Sequence, residues 1–378
     1  MLSSLPRPVA ALILGVVVLV AAPVEAQVDC SNPDNLCTGD PCVIPAVVVQ
    51  TPCAADFGSR RVVVSGALSF TFVDYPDGIL DLTAGGIDVQ GTIRAARHVT
   101  LTATGDVEVE RRLRVFGRRP DLSSVTIQAG GDVHLKGAVQ AAGTGGYAGS
   151  IVVNAGGDLT ADRKLLATYG GSVDLTADGD IVVGGGVNVS ATPVNRADGF
   201  AGTVSIHANG SVLVKRPVRA RGRYLGGDLT VSGGAGVTLE RGANVADLPG
   251  GPIADGGAIH ISSAGGDVAI LGRVSARGES DGGVIRASGA NVFLDGRFDV
   301  RSSFSIVRGS YDSGTIEASA SGNLTASGRY YCAPDGCLAF HVGATLDTSG
   351  ATFDKPPVAD CPGSPSGAFL DMSVGALD

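Results

Sequence analysis

Apolar and polar residues alternate along short stretches of this chain, and the stretches recur in a fixed register. The tetrad Ala-Gly-Gly-Asp at 129–132 and 155–158 marks that register, with variants ending at Asp106, Asp180, Ser211, Gly236, Asp267, Asn291 and Asn323. One residue after these anchors stand Val107, Val133, Leu159, Ile181, Val212, Val237, Val268, Val292 and Leu324. The positions three, seven and nine residues on are apolar in all nine units as well, as in Leu135, Val139 and Ala141 after Asp132. Positions between them mix types: Glu108, His134 and Thr160 in one column, Arg114, Gln140 and Asn188 in another. A period of two is the signature of a half-buried strand. Each unit therefore predicts two short strands after the anchor and a third before the next one, as at Ile151 and Val153. That third strand needs a register slip at His260 and at Arg286. Ahead of the first anchor, Val62–Phe70, Gly78–Ala84 and Ile87–Val99 read as further strands.

Anchors follow one another at 26, 26, 22, 31, 25, 31, 24 and 32 residues. Three strands in as few as 22 residues fit one coil of a stacked solenoid, in which no coil buries its apolar face alone. The expected fold is all-β: a single-stranded, right-handed parallel β-helix of about ten coils, on the order of 50 Å long at about 4.8 Å per coil. Alanine three residues before most anchors (Ala103, Ala129, Ala155, Ala177, Ala208, Ala264, Ala320) fits a tight inward corner. The longest loops, in the coils starting at Asp180, Gly236 and Asn291, all fall between the second and third strands. They are expected to leave the rod at one corner, where binding usually resides in such folds.

Composition agrees with this picture. Glycine supplies 57 of 378 residues, about twice the usual share, yet not at every third position, which excludes collagen. The 44 % hydrophobic and 17 % charged content excludes a disordered chain. The net charge of −9 does not favour nucleic acid. Only Lys136, Lys164, Lys215 and Lys355 are lysine, a bias towards arginine that points to a GC-rich bacterial genome.

Residues 1–26 read as a secretory signal: Arg7, the apolar run Val9–Ala22, and small residues at Val24-Glu25-Ala26. No second apolar span follows. The expected location is outside the cell or on its outer surface, with the periplasm as the other exported compartment. Seven cysteines flank the glycine-rich body: Cys30, Cys37, Cys42 and Cys53 before it, Cys332, Cys337 and Cys361 after it. An exported chain makes them disulfide candidates, although four cysteines allow three pairings. Open solenoid ends need covering, so the chain divides into a signal peptide (1–26), a Cys-rich N-terminal cap (27–61), the β-helix (62–330) and a Cys-containing C-terminal cap and tail (331–378).

The stretch Ala-Gly-Gly-Asp-Val-His-Leu-Lys-Gly-Ala-Val-Gln-Ala-Ala-Gly at 129–143 resembles the repeats of filamentous-haemagglutinin-type and other secreted bacterial β-helix proteins. The likeness spans about residues 62–330 and implies a fold, with an adhesive or surface role as its functional counterpart. The secretion-domain motifs Asn-Pro-Asn-Gly and Asn-Pro-Asn-Leu of that family's large adhesins do not occur in the chain.

Candidate chemistry is sparse. Asp106, Asp132, Asp158 and Asp180 fall on consecutive coils at one corner. Gly-Asp turns explain them, each carboxylate accepting backbone N–H bonds, while a calcium ladder is the sharper alternative. Tyr147, Tyr169, Phe200 and Tyr224 recur beside the variable loops, where flat rings can stack on sugars or simply cover the loops. Arg111, Arg112, Arg114, Arg118 and Arg119 cluster on one coil; Arg216, Arg219, Arg221 and Arg223 cluster on another. Bidentate arginine pairs suit acidic polysaccharide; a solvated, edge-blocking face is the plainer reading. The ligand-contact candidates are thus the four aromatics with Arg219, Arg221 and Arg223, for a polysaccharide or cell-surface glycan partner. No catalytic set, metal site or cofactor is expected. The polygalacturonase-like motifs Asn-Thr-Asp, Asp-Asp, Gly-His-Gly and Arg-Ile-Lys do not occur, nor does Trp-Ile-Asp-His of pectate lyases. The leading expectation is a non-enzymatic exported β-helix with an adhesion, surface-binding or structural role. The alternative is a lyase or hydrolase of acidic polysaccharide on a pectate-lyase-like fold.

Overall fold

A computed structural model describes residues 28–353, apart from 71–77, 118–122, 144–147, 192–198, 200, 247–254, 303–313, 332–336 and 343–344. Residues 1–27 and those beyond 353, with Cys361, lie outside the described residues, as does Cys332.

The alternating columns dictate the architecture. Each coil contributes a first strand such as Val133–Leu135, a second such as Val139–Gly143, and a third such as Gly149–Ala155. Every strand pairs in parallel with its equivalent in the next coil: Val107 with Val133, Val133 with Leu159, Leu159 with Ile181. The third strands form a sheet of 12 and the first and second strands a sheet of 23. The chain is a parallel β-helix.

All described residues in the four columns are buried. They fuse into one hydrophobic core along the rod. Aliphatic side chains fill most of it. Towards the C-terminal end the column seven residues after the anchor swells to aromatics, where Phe298 and Tyr330 stack with centroids 5.0 Å apart and planes 4° apart. Phe340 meets Tyr330 edge-on at 6.2 Å. Burial holds the Tyr330 hydroxyl well above the ordinary tyrosine range, and it donates to the Leu294 carbonyl at 3.2 Å.

The ladders run past the 62–330 range at both ends. Cys42–Ile44 pairs with Arg61–Val64, and Cys53–Asp56 pairs with Ile79–Ala84, so residues 42–56 are already a coil. Covering falls to residues 28–41, which carry the buried Cys30 and Leu36 and a short 3-10 turn, Pro33–Asn35. Disulfides Cys30–Cys53 and Cys37–Cys42 tie this segment to the first coil. At the other end, Cys337–Val342 continues the third-strand ladder and Leu346–Phe353 adds a further coil.

Both register slips are absorbed at corners. Ile259 and Ile261 face the core beside His260, and Ile285 and Ala287 beside Arg286. Three residues separate Ser263 from Asp267 where two is the rule, and one separates Gly289 from Asn291. The extra residue moves Ala264 outward, so Ser263 takes the inward place that alanine holds in other coils. Among the described residues, no helix is long and apolar enough to cross a membrane.

Candidate functional site

Each coil has three corners, and each corner carries different chemistry.

The corner between a third strand and the next first strand is the Gly-Asp corner. The Asp132 amide donates to Asp106 Oδ1 at 2.8 Å, Asp158 to Asp132 at 2.8 Å, and Asp180 to Asp158 at 2.8 Å. Ser211 donates to Asp180 Oδ1 through its amide at 2.6 Å and its hydroxyl at 2.9 Å. The amide bond first and the hydroxyl second hold the Asp180 carboxyl below its usual range. The chain of bonds resumes at Asp267, which accepts from Asn291, and Asn291 Oδ1 accepts from the Asn323 amide at 2.9 Å. Glycine precedes the aspartate because a β-carbon on Gly131 or Gly157 would overlap the carboxylate of the coil below. The four aspartates thus do turn chemistry. The three carboxylates that do converge among the described residues are Asp88, Glu108 and Glu110. Lys136 already contacts Glu108 there, lies 4.0 Å from Glu110, and has its ammonium pKa raised, first by its hydrogen bond to Glu108.

The corner between second and third strands bears the long loops. Asn188 and Thr203 bound one, Asn244 and Ala258 another, Asp299 and Thr315 the third. Tyr169 and Tyr224 both lie at this corner; Tyr147 and Phe200 lie outside the described residues. Tyr169 takes a left-handed φ of 60°. Tyr224 is half-buried, donates its amide to the Gly199 carbonyl at 3.0 Å, and lays its ring so close that a β-carbon on Gly199 would strike it. That ring lies against Gly199 of the adjacent coil. Arg221 and Arg223 belong to the same corner and are half-buried, and the Arg221 amide donates to Ser190 Oγ at 3.1 Å.

Arg219 parts from them. It is exposed on the second strand beside the remaining corner, between first and second strands. The sequence run Arg216 to Arg223 therefore wraps over two corners, and Arg118 and Arg119 lie outside the described residues. This remaining corner is three residues long in most coils, for example Asp162-Arg163-Lys164 and Lys215-Arg216-Pro217. Exposed cations recur along it: Arg111 and Arg112 on one coil, Lys136 on the next, Arg241 and Arg273 farther on. Arg114 stacks on Arg94, and its guanidinium pKa is lowered, first by burial and then by the charges of Arg112 and Arg94. It also lies over the Phe116 ring at 3.5 Å.

An open groove of about 480 Å³ is cut into this corner. Its floor is Gly184, Gly185 and Gly186; Arg163 and Lys164 rise on one side, Arg216 and Arg219 on the other, and Asn188 lines it. Its single carboxylate, Asp162, is bonded to His134 Nε2 at 2.8 Å. Sequence reading along the chain missed this groove, because its parts are brought together down the stack.

Near the C-terminal end, Asp299 is fully buried between arginines. Arg301 Nε lies 2.9 Å from one oxygen and Arg297 Nη2 3.3 Å from the other, and both guanidiniums lie over the Tyr331 ring. Burial pushes the Asp299 carboxyl up, but the Arg301 bond and charge outweigh it and leave the pKa below its ordinary value. This knot packs the end of the rod.

Comparison with family models, curated proteins and solved structures gives no match.

Proposed function

We propose that this protein is an exported, non-enzymatic β-helix that attaches to glycan at a cell surface or in the surrounding matrix. One observation carries the reading: a fixed rod with a single continuous core presents all three of its longest loops at one corner. A rigid scaffold with loops on one flank is how solenoids build extended binding surfaces. The disulfides near the N-terminus suit an oxidising compartment, and the repeat's likeness to secreted bacterial adhesins points the same way.

The rival reading as a polysaccharide lyase or hydrolase needs paired carboxylates or a base beside bound sugar. The convergent carboxylates among the described residues hold Lys136, and the groove's Asp162 holds His134. Neither arrangement sets two unengaged carboxylates across the groove, the pair that glycosidic-bond hydrolysis uses. Immobilised neutral and acidic bacterial, plant and animal polysaccharides test the proposal. Retention of the protein on at least one class is expected. Retention on none would overturn it.

A further inference from the structure

The parallel register places groups together that are far apart in sequence. Leu165, Val187 and Val218 are partners in adjacent coils. Two residues earlier on each coil, Arg163, Gly185 and Arg216 therefore stack in one column. The outer two are exposed arginines, and the middle one has no side chain. With about 4.8 Å between coils, the arginine backbones stand roughly 10 Å apart across the glycine. Gly185 cannot gain a β-carbon, because Arg163's carbonyl occupies that space. The flanking column Asp162–Gly184–Lys215 and the neighbour Lys164–Gly186–Pro217 likewise put glycine in the middle, with one cation apiece. The result is an electropositive trough, four cations against one paired carboxylate, on a chain of net charge −9.

A trough of this kind selects an anion that is narrow, repeated and hydroxylated. The arginine fork matches a carboxylate bidentately. The Asn188 amide offers hydrogen bonds to hydroxyls. Exposed cations stand on the coils either side of the glycine floor and recur farther along the same corner at Arg111, Arg112, Lys136, Arg241 and Arg273, so an extended acidic polymer laid along the stack meets a row of positive charge. A nucleic acid strand would also bring anions, but the groove lining holds no aromatic ring on which bases could stack.

Resting on the glycan-binding reading above, we propose that the groove floored by Gly184, Gly185 and Gly186 binds a linear polysaccharide with one carboxylate per sugar. One carboxylate sits over Gly185 between Arg163 and Arg216.

Calorimetric titration of the full-length mature chain with polygalacturonate, its methyl ester and a single-stranded oligonucleotide tests this. Binding to polygalacturonate alone is expected, weakening as salt screens the charges. The R163Q/R216Q variant is expected to bind at least about tenfold more weakly, while R286Q, on the opposite sheet, keeps wild-type affinity. Gly184 offers a second route that removes no charge: a β-carbon there meets Asp162 Cα at an ordinary 3.4 Å, so Gly184→Gln fits and fills the trough. It too should weaken binding by a similar factor. Polygalacturonate affinity unchanged in both variants would overturn the groove assignment and leave glycan attachment standing. Equal binding of the methyl ester or the oligonucleotide would overturn the carboxylate specificity. Failure to bind any immobilised polysaccharide would defeat the broader reading instead.

Discussion

The amide of Asp132 donates to the Oδ1 of Asp106 at 2.8 Å, and the same bond recurs one coil up between Asp158 and Asp132. Each carboxylate thereby fixes the start of the next coil's first strand. The bond links two residues 26 positions apart in sequence and one strand apart in space. It explains why the anchor is Asp or Asn in most units: what the corner needs is an oxygen acceptor.

Asp132→Ala removes that acceptor and should lower stability by about 1 kcal/mol, the value of an ordinary hydrogen bond, because solvent screens the exposed carboxylate. Asp132→Asn should stay close to wild type, because Asn291 already serves in this way towards Asn323. Thermal denaturation of the two variants, with calcium and with a chelator, checks this. A calcium-dependent melting temperature would revive the ion-ladder reading of Asp106, Asp132, Asp158 and Asp180.

Acid should weaken the rod through Asp180 and Asp299, whose folded pKa values are both depressed. A depressed carboxylate contributes stability that is complete above its unfolded value, near 3.9, and is lost as pH falls through the folded value. Unfolding free energy should thus be flat from about pH 7 to pH 5 and decline below that. Asp299→Asn, which leaves Arg301 and Arg297 facing a neutral amide, should be less stable at neutral pH and show a shallower decline. Denaturant titrations at stepped pH would show a parallel decline if Asp299 were irrelevant.

Glycine at the corners is a packing requirement that differs between neighbours. Gly185→Ala drives a β-carbon into the Arg163 carbonyl and should cost about 1–3 kcal/mol, as overpacking does. Gly184→Ala, one residue away, meets only ordinary contacts and should cost less than half as much. Comparing their denaturation midpoints separates steric demand from generic glycine loss.

These neighbours show where sequence reading stops. The apolar columns were legible because side-chain alternation has a strict period, and Val133, Leu135, Val139 and Ala141 all proved buried. The register slips at His260 and Arg286 were legible too, as breaks in that period. The first coil was not, since Cys42 and Cys53 occupy core positions where later coils place Val62 and Leu80. Cysteines read as a cap while they served as core. The groove was hidden for a different reason. Arg216, Arg219, Arg221 and Arg223 look like one cluster along the chain, but the corner between them turns Arg221 and Arg223 away. The partner of Arg216 is Arg163, two coils distant, and only stacking reveals it.

Loss of the Cys30–Cys53 link should destabilise the covered end. A bridge closing a loop of this size contributes roughly 2–4 kcal/mol, so Cys30→Ser with Cys53→Ser should lower the melting temperature in non-reducing buffer. The Cys37–Cys42 bridge closes a far shorter loop, 5 residues apart against 23, so Cys37→Ser with Cys42→Ser should cost less. Hydrogen exchange localised to Cys42–Ile44 and Arg61–Val64 would rise first if these bridges hold the first coil.

The central claim is that the flank of this rod holds an acidic glycan without cutting it. One sample decides it: the protein incubated with polygalacturonate, with and without calcium, followed at once for co-elution and for new chain ends. The account predicts that protein and polymer elute together with polymer length unchanged over days. Shortened chains, or a polymer that elutes free of the protein, would contradict it.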